Sequence, residues 1–255
     1  MLANYHTHTA RCGHAIGEDR EYVENAIQAG MKVLGFSDHC PWVFPDGYES
    51  PIRMRLQEVD GYFSSLTKLR DEYKDDITIY IGFESEFIPE LLDAQDKFLA
   101  DYPVDYQIMG QHYTSREPET VYCGRVVPRG QAAAFHEYVD SCIAGIESGR
   151  YKYLAHPDLM GMLDPAIYRE GYAKLCACIK AHDMPVELNC IGIERHYTSR
   201  AFLKIAAEFG CKAIIGIDAH QPEKLLGRTG VDVCQELAEE TGLELIDYLP
   251  GMGPK

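Results

Sequence analysis

Long hydrophobic runs are missing from this 255-residue sequence. No stretch approaches the roughly 20 apolar residues of a membrane-spanning helix, and the N-terminus lacks the basic and apolar regions of a signal peptide. Basic residues are also scarce, with 24 Lys and Arg against 40 Asp and Glu, and the net charge of −16 argues against binding to a nucleic-acid backbone. We therefore expect a cytoplasmic protein with neither a membrane nor a nucleic-acid partner.

Paired cysteines and linker segments are missing as well. The nine cysteines include no CxxC pair, and their odd number and scattered positions argue against a disulfide framework. We interpret most of them as reduced core thiols. No Ser/Gly linker, low-complexity tract or internal repeat divides the chain, so we expect one domain over residues 1–255. The oligomeric state stays open.

Short β-rich segments alternate with longer amphipathic segments along the whole chain. The predicted strands are LANYHTH, KVLGFSD, ITIYIGFES, DYQIMG, YKYLAH, PVELNC and AIIGID. The helix candidates between them include residues 17–30, 55–73, 130–149, 167–182 and 199–210. Parallel neighbouring strands need a crossover, and right-handed crossovers put the helices outside the sheet. The pattern predicts an α/β fold, either an open doubly wound sheet or a closed barrel.

Residues able to bind metal ions stand at or just beyond the end of each predicted strand. They are His6, His8, His39, Glu84, His112, His156, Asn189, Asp218 and His220. In a barrel the carboxyl ends of all strands meet at one mouth, whereas the first and last strands of an open sheet need not meet. The regularity therefore favours a TIM-like barrel with a metal site at that mouth. His14, in the loop after the first strand, can fold over it.

The spacing within the pairs supports a shared site. His6 and His8 are two residues apart, as are Asp218 and His220, so each pair points to one side with Cα atoms about 7 Å apart. A single histidine at a strand end is more often structural than a metal ligand. The metal site is therefore predicted from the whole set of residues and not from any one of them. The seven histidines, including His14, with Glu84 and Asp218 make nine candidate ligands, more than the shell of one ion holds, and imidazole with carboxylate suits zinc, iron or manganese. We expect two to three divalent transition-metal ions.

The ordered segments YHTHT, GFSDH, GFESEFIPE, IMGQHY, AHPD, VELN and GIDAH resemble the motifs of the polymerase and histidinol phosphatase (PHP) family, and within it the histidinol-phosphatase branch. The resemblance covers nearly the whole chain. It implies a distorted (β/α)7 barrel with a trinuclear metal centre. It also implies hydrolysis of a small phosphorylated substrate, with L-histidinol phosphate, an intermediate of histidine biosynthesis, as the first expectation.

The same resemblance assigns ligands to three ions. His6, His8, Glu84 and Asp218 would hold the first; Glu84, His112 and His156 the second; and His14, His39 and His220 the third. Asp38 and Asp158 lie beside ligands in SDH and HPD. They are candidates for proton transfer or for orienting an imidazole, with a plain orienting or capping role as the alternative.

Phosphate-binding residues are less clearly marked. The histidinol phosphatases that this sequence resembles carry basic residues after the fifth-strand H-x-D-L and after the sixth-strand E-L-N, whereas HPDLMGMLDP in this chain has none. Arg195 or Arg200 could fill the second position, and Arg53 is a further candidate because its guanidinium can bind phosphate with paired donors. The loop 112–130, which contains Arg116, Arg125 and Arg129, is a possible substrate lid. Each arginine taken alone could equally be a surface residue.

Three functions therefore remain open. The first is L-histidinol-phosphate phosphatase, and the second is a PHP phosphoesterase for another small phosphomonoester or a nucleotide. The second function stays open because no basic residue follows HPDL. The third is a noncatalytic metal-binding module, against which the acidic charge counts.

Overall fold

Parallel strands form the centre of the molecule. Over the residues that this computed structural model describes (1–120, 122–124, 130–162 and 164–255), the strands lie in two sheets. One sheet contains β1 (Ala3–Asn4), β2 (Val33–His39), β3 (Thr78–Ser85) and β4 (Tyr106–Met109). The other contains β5 (Val186–Asn189), β6 (Lys212–Gly216) and β7 (Glu244–Leu245). All neighbouring pairs are parallel.

Isolated parallel bridges connect the two sheets. Leu154 pairs with Met109 at the end of β4 and with Val186 at the start of β5. On the opposite side Thr7 pairs with Ala219, where the amide of Ala219 donates to the carbonyl of His6 at 3.1 Å. The result is a curled parallel sheet.

The helices follow the strands in the alternation that the sequence predicts. They are α1 (Asp19–Gln28), α2 (Val59–Glu72), α3 (Leu92–Leu99), α4 (Gln131–Glu147), α5 (Pro165–Ala181), α6 (Cys190–Glu194), α7 (Arg200–Glu208) and α8 (Thr229–Thr241). The sequence at the N-terminus of α5 explains why a helix begins there. Asp164 accepts hydrogen bonds from the amides of Ala166 and Ile167, and Pro165 occupies the first helical position. Within the described ranges, no helix is long and apolar enough to cross a membrane.

The two faces of the sheet pack in different clusters. Alternate residues of β3 point to opposite faces, so Ile79 and Ile81 pack in the large cluster that includes the helices, whereas Tyr80 packs in a second cluster with Tyr5. Glu84 is four residues after Tyr80 and therefore points to the same face of the sheet as Tyr80. This carboxylate therefore lies on the face turned away from the helices, at the carboxyl end of the strand.

Two predicted strands are shorter in the structure than in the sequence prediction. Strand β1 stops at Asn4, because the Asn4 side chain accepts from the amide of Ile217 at 2.9 Å and donates to the carbonyl of His6 at 3.0 Å, replacing ladder bonds. Of the strand predicted over 151–156, only the bridge at Leu154 is present, and the chain turns at His156 with φ of 29°. Strand β7 is additional to the predicted set.

Candidate metal centre

The nine residues predicted as metal ligands lie together at the carboxyl ends of the strands. His39 ends β2, Glu84 stands one residue before the end of β3, and the others follow strands or bridges. His8 is central among the imidazoles: its ring centroid is 4.4 Å from that of His39 and 4.0 Å from that of His220. Asn189 also lies at this end, and its amide donates to Asp218 at 3.2 Å.

Four buried atoms converge at the floor of this site. They are Nε2 of His6, Nε2 of His8, Oε2 of Glu84 and Oδ1 of Asp218, and none has a hydrogen-bond partner among the described residues. The imidazole nitrogens lie 3.1 to 3.6 Å from the carboxylate oxygens. Ligand atoms in a tetrahedral zinc shell with bonds of about 2.0–2.1 Å are separated by roughly 3.4 Å. The four atoms therefore fit a transition-metal ion.

The second oxygen of Glu84 faces a different pair of histidines. Its Oε1 is 2.7 Å from Nε2 of His156 and 3.4 Å from Nε2 of His112. Oε2 is also 3.1 Å from Nδ1 of His39, another buried atom without a partner in the described part of the chain. Glu84 can consequently bridge two neighbouring cation positions.

A third group of imidazoles lies at the outer edge of the site. The ring centroid of His14 is 5.1 Å from that of His39 and 4.7 Å from that of His220. The Nε2 atoms of His14 and His220 are 3.0 Å apart. The Cys12 thiol belongs to this neighbourhood, since its sulfur and nitrogen atoms of His14 and His220 all lie within 4.8 Å of one another.

Buried carboxylates contact the Nδ1 atoms of several of these imidazole rings, on the side that faces away from the site. Glu187 faces Nδ1 of His6 at 2.8 Å, and Glu86 faces Nδ1 of His112 at the same distance. Asp38 lies 3.4 Å from Nδ1 of His8. Such contacts fix the ring orientation and leave Nε2 pointing into the site. Sequence reasoning missed Glu86 and Glu187, although the period of two in ESE and ELN would have placed both beside predicted site residues.

Asp38 and Asp158 have different surroundings. Asp38 accepts hydrogen bonds from the amides of Thr9 and His39, in addition to its contact with His8. Asp158 instead accepts a hydrogen bond from the amide of Ser199, the residue before α7. Burial raises the pKa of Asp158 to about 7.

The buried histidines and carboxylates of the centre shift one another's pKa values. Burial would lower the pKa of His6, but the carboxylates of Glu187, Asp218 and Glu84 raise it well above its usual value. Burial would likewise raise the pKa of Glu84, yet the rings of His112 and His6 hold it well below its usual value. Buried ionised carboxylates surrounded by imidazoles provide the electrostatic environment that a divalent cation requires.

A cavity of about 700 Å³ opens directly above the centre. Its wall is rich in aromatic side chains, namely Tyr48, Tyr113, Tyr122 and Tyr197. Among the described residues Arg195 is the one arginine that lines it, and no described carboxylate forms an ion pair with its guanidinium. Leu159 of HPDL also lines the cavity. The site can therefore accept a compact anion with an organic group attached.

The other candidate arginines in the described part of the chain do not line this cavity. Arg53 is buried and pairs with Glu86 and Glu117, while Arg200 pairs with Glu240 on the exposed side of α7. Arg116 pairs with Asp46. Arg125 and Arg129, in the predicted lid, lie outside the described residues.

Comparison with known proteins agrees with the geometry. Residues 4–193 match the model of the PHP domain family. The probable histidinol-phosphatase of Deinococcus radiodurans is 28% identical over 252 residues, which cover 94% of each chain. The histidinol-phosphatase of Bacillus subtilis is 24% identical over 249 residues, covering 85% of this chain and 92% of the relative.

A solved structure has a similar fold. It is histidinol phosphate phosphatase from Lactococcus lactis, complexed with zinc, L-histidinol and phosphate, and it superposes with a TM-score of 0.75 at 20% identity, covering 100% of this chain and 98% of the other. At this identity the likeness concerns the fold. Since the family match extends over well more than half of the sequence, the chain belongs to the PHP domain family.

Proposed function

We propose that this protein is a metal-dependent phosphomonoesterase that hydrolyses L-histidinol phosphate to L-histidinol and phosphate, a step of histidine biosynthesis. The observation that carries the proposal is the convergence of four buried donor atoms, from His6, His8, Glu84 and Asp218, that have no hydrogen-bond partner among the described residues and lie below a cavity lined by Arg195. The full-length relatives named histidinol-phosphatases and the histidinol and phosphate in the Lactococcus structure support this substrate.

The proposed cofactors are two to three divalent transition-metal ions, with zinc first because the Lactococcus structure contains it; iron and manganese suit the same ligands. The proposed ligands are His6, His8, Glu84 and Asp218 for one ion, Glu84, His112 and His156 for a second, and His14, His39 and His220 for a third. Ions at these positions would lower the pKa of bound water and neutralise charge on the phosphoryl oxygens.

The side chains around the centre have three proposed tasks. Glu187, Glu86 and Asp38 hold the imidazoles of His6, His112 and His8, which supports an orienting role for Asp38. Arg195 binds the phosphoryl oxygens through its planar pair of N–H donors. Asp158 anchors the start of α7 through Ser199, a capping role, and we keep proton transfer as its alternative task.

We also infer that residues 1–255 form a single PHP domain built on a distorted (β/α)7 barrel. The bridges of Leu154 to both sheets and of Thr7 to Ala219 support closure, with residues 153–155 in the position of the fifth strand. Asp218 and His220 support the domain boundary, because they lie beyond the family match at 4–193 and still contact its histidines.

The proposed function is tested by phosphate release from L-histidinol phosphate, using protein whose metal content has been measured by elemental analysis. We expect selective turnover at two to three metal ions per chain. Removal of the ions with a chelator should abolish turnover, and added zinc should restore it. Absence of turnover in the fully loaded protein would overturn the proposed substrate.

A second substrate class is favoured by one specific observation. Leu159 and Met160 occupy the positions after HPD, and the part of the cavity that the structure describes has no lysine or arginine there. A panel of other small phosphomonoesters and nucleotides belongs in the same assay. Preference for one of them would retain the phosphatase chemistry and replace the substrate, whereas inactivity on every compound would favour a noncatalytic metal-binding module.

Gly110 offers a structural test of the metal centre. This residue follows β4, and a Cβ atom at its position would overlap the Glu84 carboxylate. We expect Gly110→Ala to displace Glu84 and to weaken metal binding by roughly 10-fold or more, as changes around metal ligands do. Metal retention after dialysis measures this effect.

Gly61 provides the matched control for that experiment. It lies within α2, and nothing stands within 4 Å of a Cβ placed there. Gly61→Ala should retain its metal ions and gain up to about 1 kcal/mol of helix stability. Full metal retention in Gly110→Ala as well would contradict the assignment of Glu84.

A further inference from the structure

Arg53 stands between two buried carboxylates. Its Nη1 and Nη2 atoms donate to the two oxygens of Glu86 at 2.6 and 2.7 Å, and its Nε donates to Glu117 at 3.0 Å. The Arg53 residue is only 3% exposed. A guanidinium with all of these donors engaged inside the protein is not available to a substrate phosphate.

Glu86 connects this guanidinium to the metal centre. The Oε1 atom that accepts from Arg53 also lies 2.8 Å from Nδ1 of His112. The opposite nitrogen of His112 faces Glu84 at 3.4 Å. The orientation of the His112 ring, and with it the direction of Nε2, therefore depends on where Arg53 holds the Glu86 carboxylate.

Glu117 connects the same guanidinium to the wall of the cavity. It accepts hydrogen bonds from the hydroxyls of Tyr48 and Ser50, at 3.0 and 2.7 Å. Glu117 and Tyr48 both line the cavity, and they come from the segments that follow β4 and β2. None of the three groups that donate to Glu117 belongs to a predicted metal ligand.

We propose that Arg53 is a positioning residue that couples the cavity wall to the metal ligand His112. One cation is shared by two buried carboxylates, so a shift of Glu117 alters the electrostatic partner of Glu86 and thereby the hydrogen bond that orients His112. Binding of the second ion and the shape of the substrate cavity are consequently linked through Arg53. This inference rests on the proposed metal-dependent function and adds a residue to its machinery.

The test uses the full-length protein and measures metal binding without substrate. Arg53→Lys keeps the positive charge but loses the paired N–H donors, and Arg53→Met loses both. Glu117→Gln removes only the charge of the carboxylate that lines the cavity wall. We expect the affinity for the most weakly bound zinc ion to fall about 10- to 100-fold in both Arg53 variants and several-fold in Glu117→Gln. Chelator competition gives these affinities, and the visible spectrum of the Co²⁺-loaded protein reports the change at His112.

Glu117→Gln is the decisive variant, because a residue that only builds the wall would change KM and leave metal affinity untouched. In a double-mutant cycle of Glu117→Gln with Arg53→Lys, the losses of zinc affinity should be non-additive, since both changes act on one hydrogen-bond network. Arg20→Met is the matched control: Arg20 forms the same two-pronged contact with Glu72, at 2.6 and 2.7 Å, on the exposed surface between α1 and α2. It should retain wild-type metal affinity.

The outcomes separate the two proposals. Wild-type metal affinity and Co²⁺ spectra in Arg53→Lys and Glu117→Gln would overturn the positioning role, whatever the substrate. If Arg53→Met does not fold, the other two variants decide the question. A wild-type protein that holds its metal ions but does not hydrolyse L-histidinol phosphate would overturn the proposed substrate while the affinities of the variants still test Arg53.

Discussion

Asp218→Ala is expected to abolish phosphate release, with a loss in kcat of at least roughly 10³-fold, the upper range for removal of one electrostatic group at a reacting centre. The Oδ1 atom of Asp218 is a buried oxygen without a hydrogen-bond partner in the described structure, 3.1 Å from Nε2 of His8 and 3.5 Å from Nε2 of His6. Without it, two imidazoles and Glu84 would remain to hold the first of the proposed ions. Phosphate release and elemental analysis of the same sample measure the effect.

The fold should survive this substitution. Asp218 follows β6 and its side chain contacts the site, with Asn189 as a hydrogen-bond donor at 3.2 Å, whereas the hydrophobic clusters involve other residues. We therefore expect unchanged circular dichroism. His6→Ala should give a similar loss, and the double variant should lose little more, because ligands of one ion act as a unit.

His136→Ala is the control for the histidine variants. His136 lies on the exposed surface of α4 and is not among the predicted metal ligands. It should retain both the metal ions and full turnover. Substantial turnover in Asp218→Ala, at a rate near that of His136→Ala, would contradict the assignment of Asp218.

The position of the site could be predicted from the sequence because it depends on local periodicity. His39 and Glu84 stand at the ends of hydrophobic strands, and the period of two decides which face each side chain occupies. Parallel strands in register bring those ends together, as the pairing of His39 with Glu84 demonstrates. No knowledge of distant contacts is needed for that step.

The role of Arg53 could not be predicted in this way. Its partners Glu86 and Glu117 are 33 and 64 residues away in sequence, and an arginine before a helix is equally compatible with an exposed position. Only the packing of the loops after β2 and β4 shows that the guanidinium is enclosed. The same holds for Arg200, whose partner Glu240 lies in the distant helix α8.

The fifth strand shows a different limit. YKYLAH has the apolar composition of a buried strand, and Leu154 does pair on both sides. Strand length, however, depends on how neighbouring backbones continue, and the chain turns at His156, where φ is positive. The sequence predicts the position of this element but not its extent.

Arg195→Met is expected to lower kcat/KM for the phosphomonoester by about 100- to 1,000-fold, the equivalent of two charge-assisted hydrogen bonds. Arg195 follows the short helix α6, whose start is fixed by Asn189, which accepts from the amide of Gly192 at 2.7 Å. The guanidinium thus follows a short capped helix that begins beside the candidate metal centre. Steady-state kinetics of phosphate release measures the loss.

Conservative replacement separates charge from geometry at this position. Arg195→Lys keeps one positive charge but not the planar pair of donors, so it should recover part of the lost kcat/KM. Arg200→Met should behave as wild type, because Arg200 is exposed and pairs with Glu240. A loss in Arg200→Met with none in Arg195→Met would reverse the choice between the two arginines.

The distribution of the Arg195→Met effect between kcat and KM carries the mechanistic information. A loss confined to KM means that Arg195 binds the phosphate equally in the ground state and the transition state, whereas a loss in kcat means that its contact strengthens as charge develops on phosphorus. Since Arg195 is the arginine lining the described cavity, and HPDLM supplies no second cation, we expect kcat to carry most of the loss. Unchanged metal content in Arg195→Met, set against the depleted centre of Asp218→Ala, would assign the two residues to phosphate and to metal respectively.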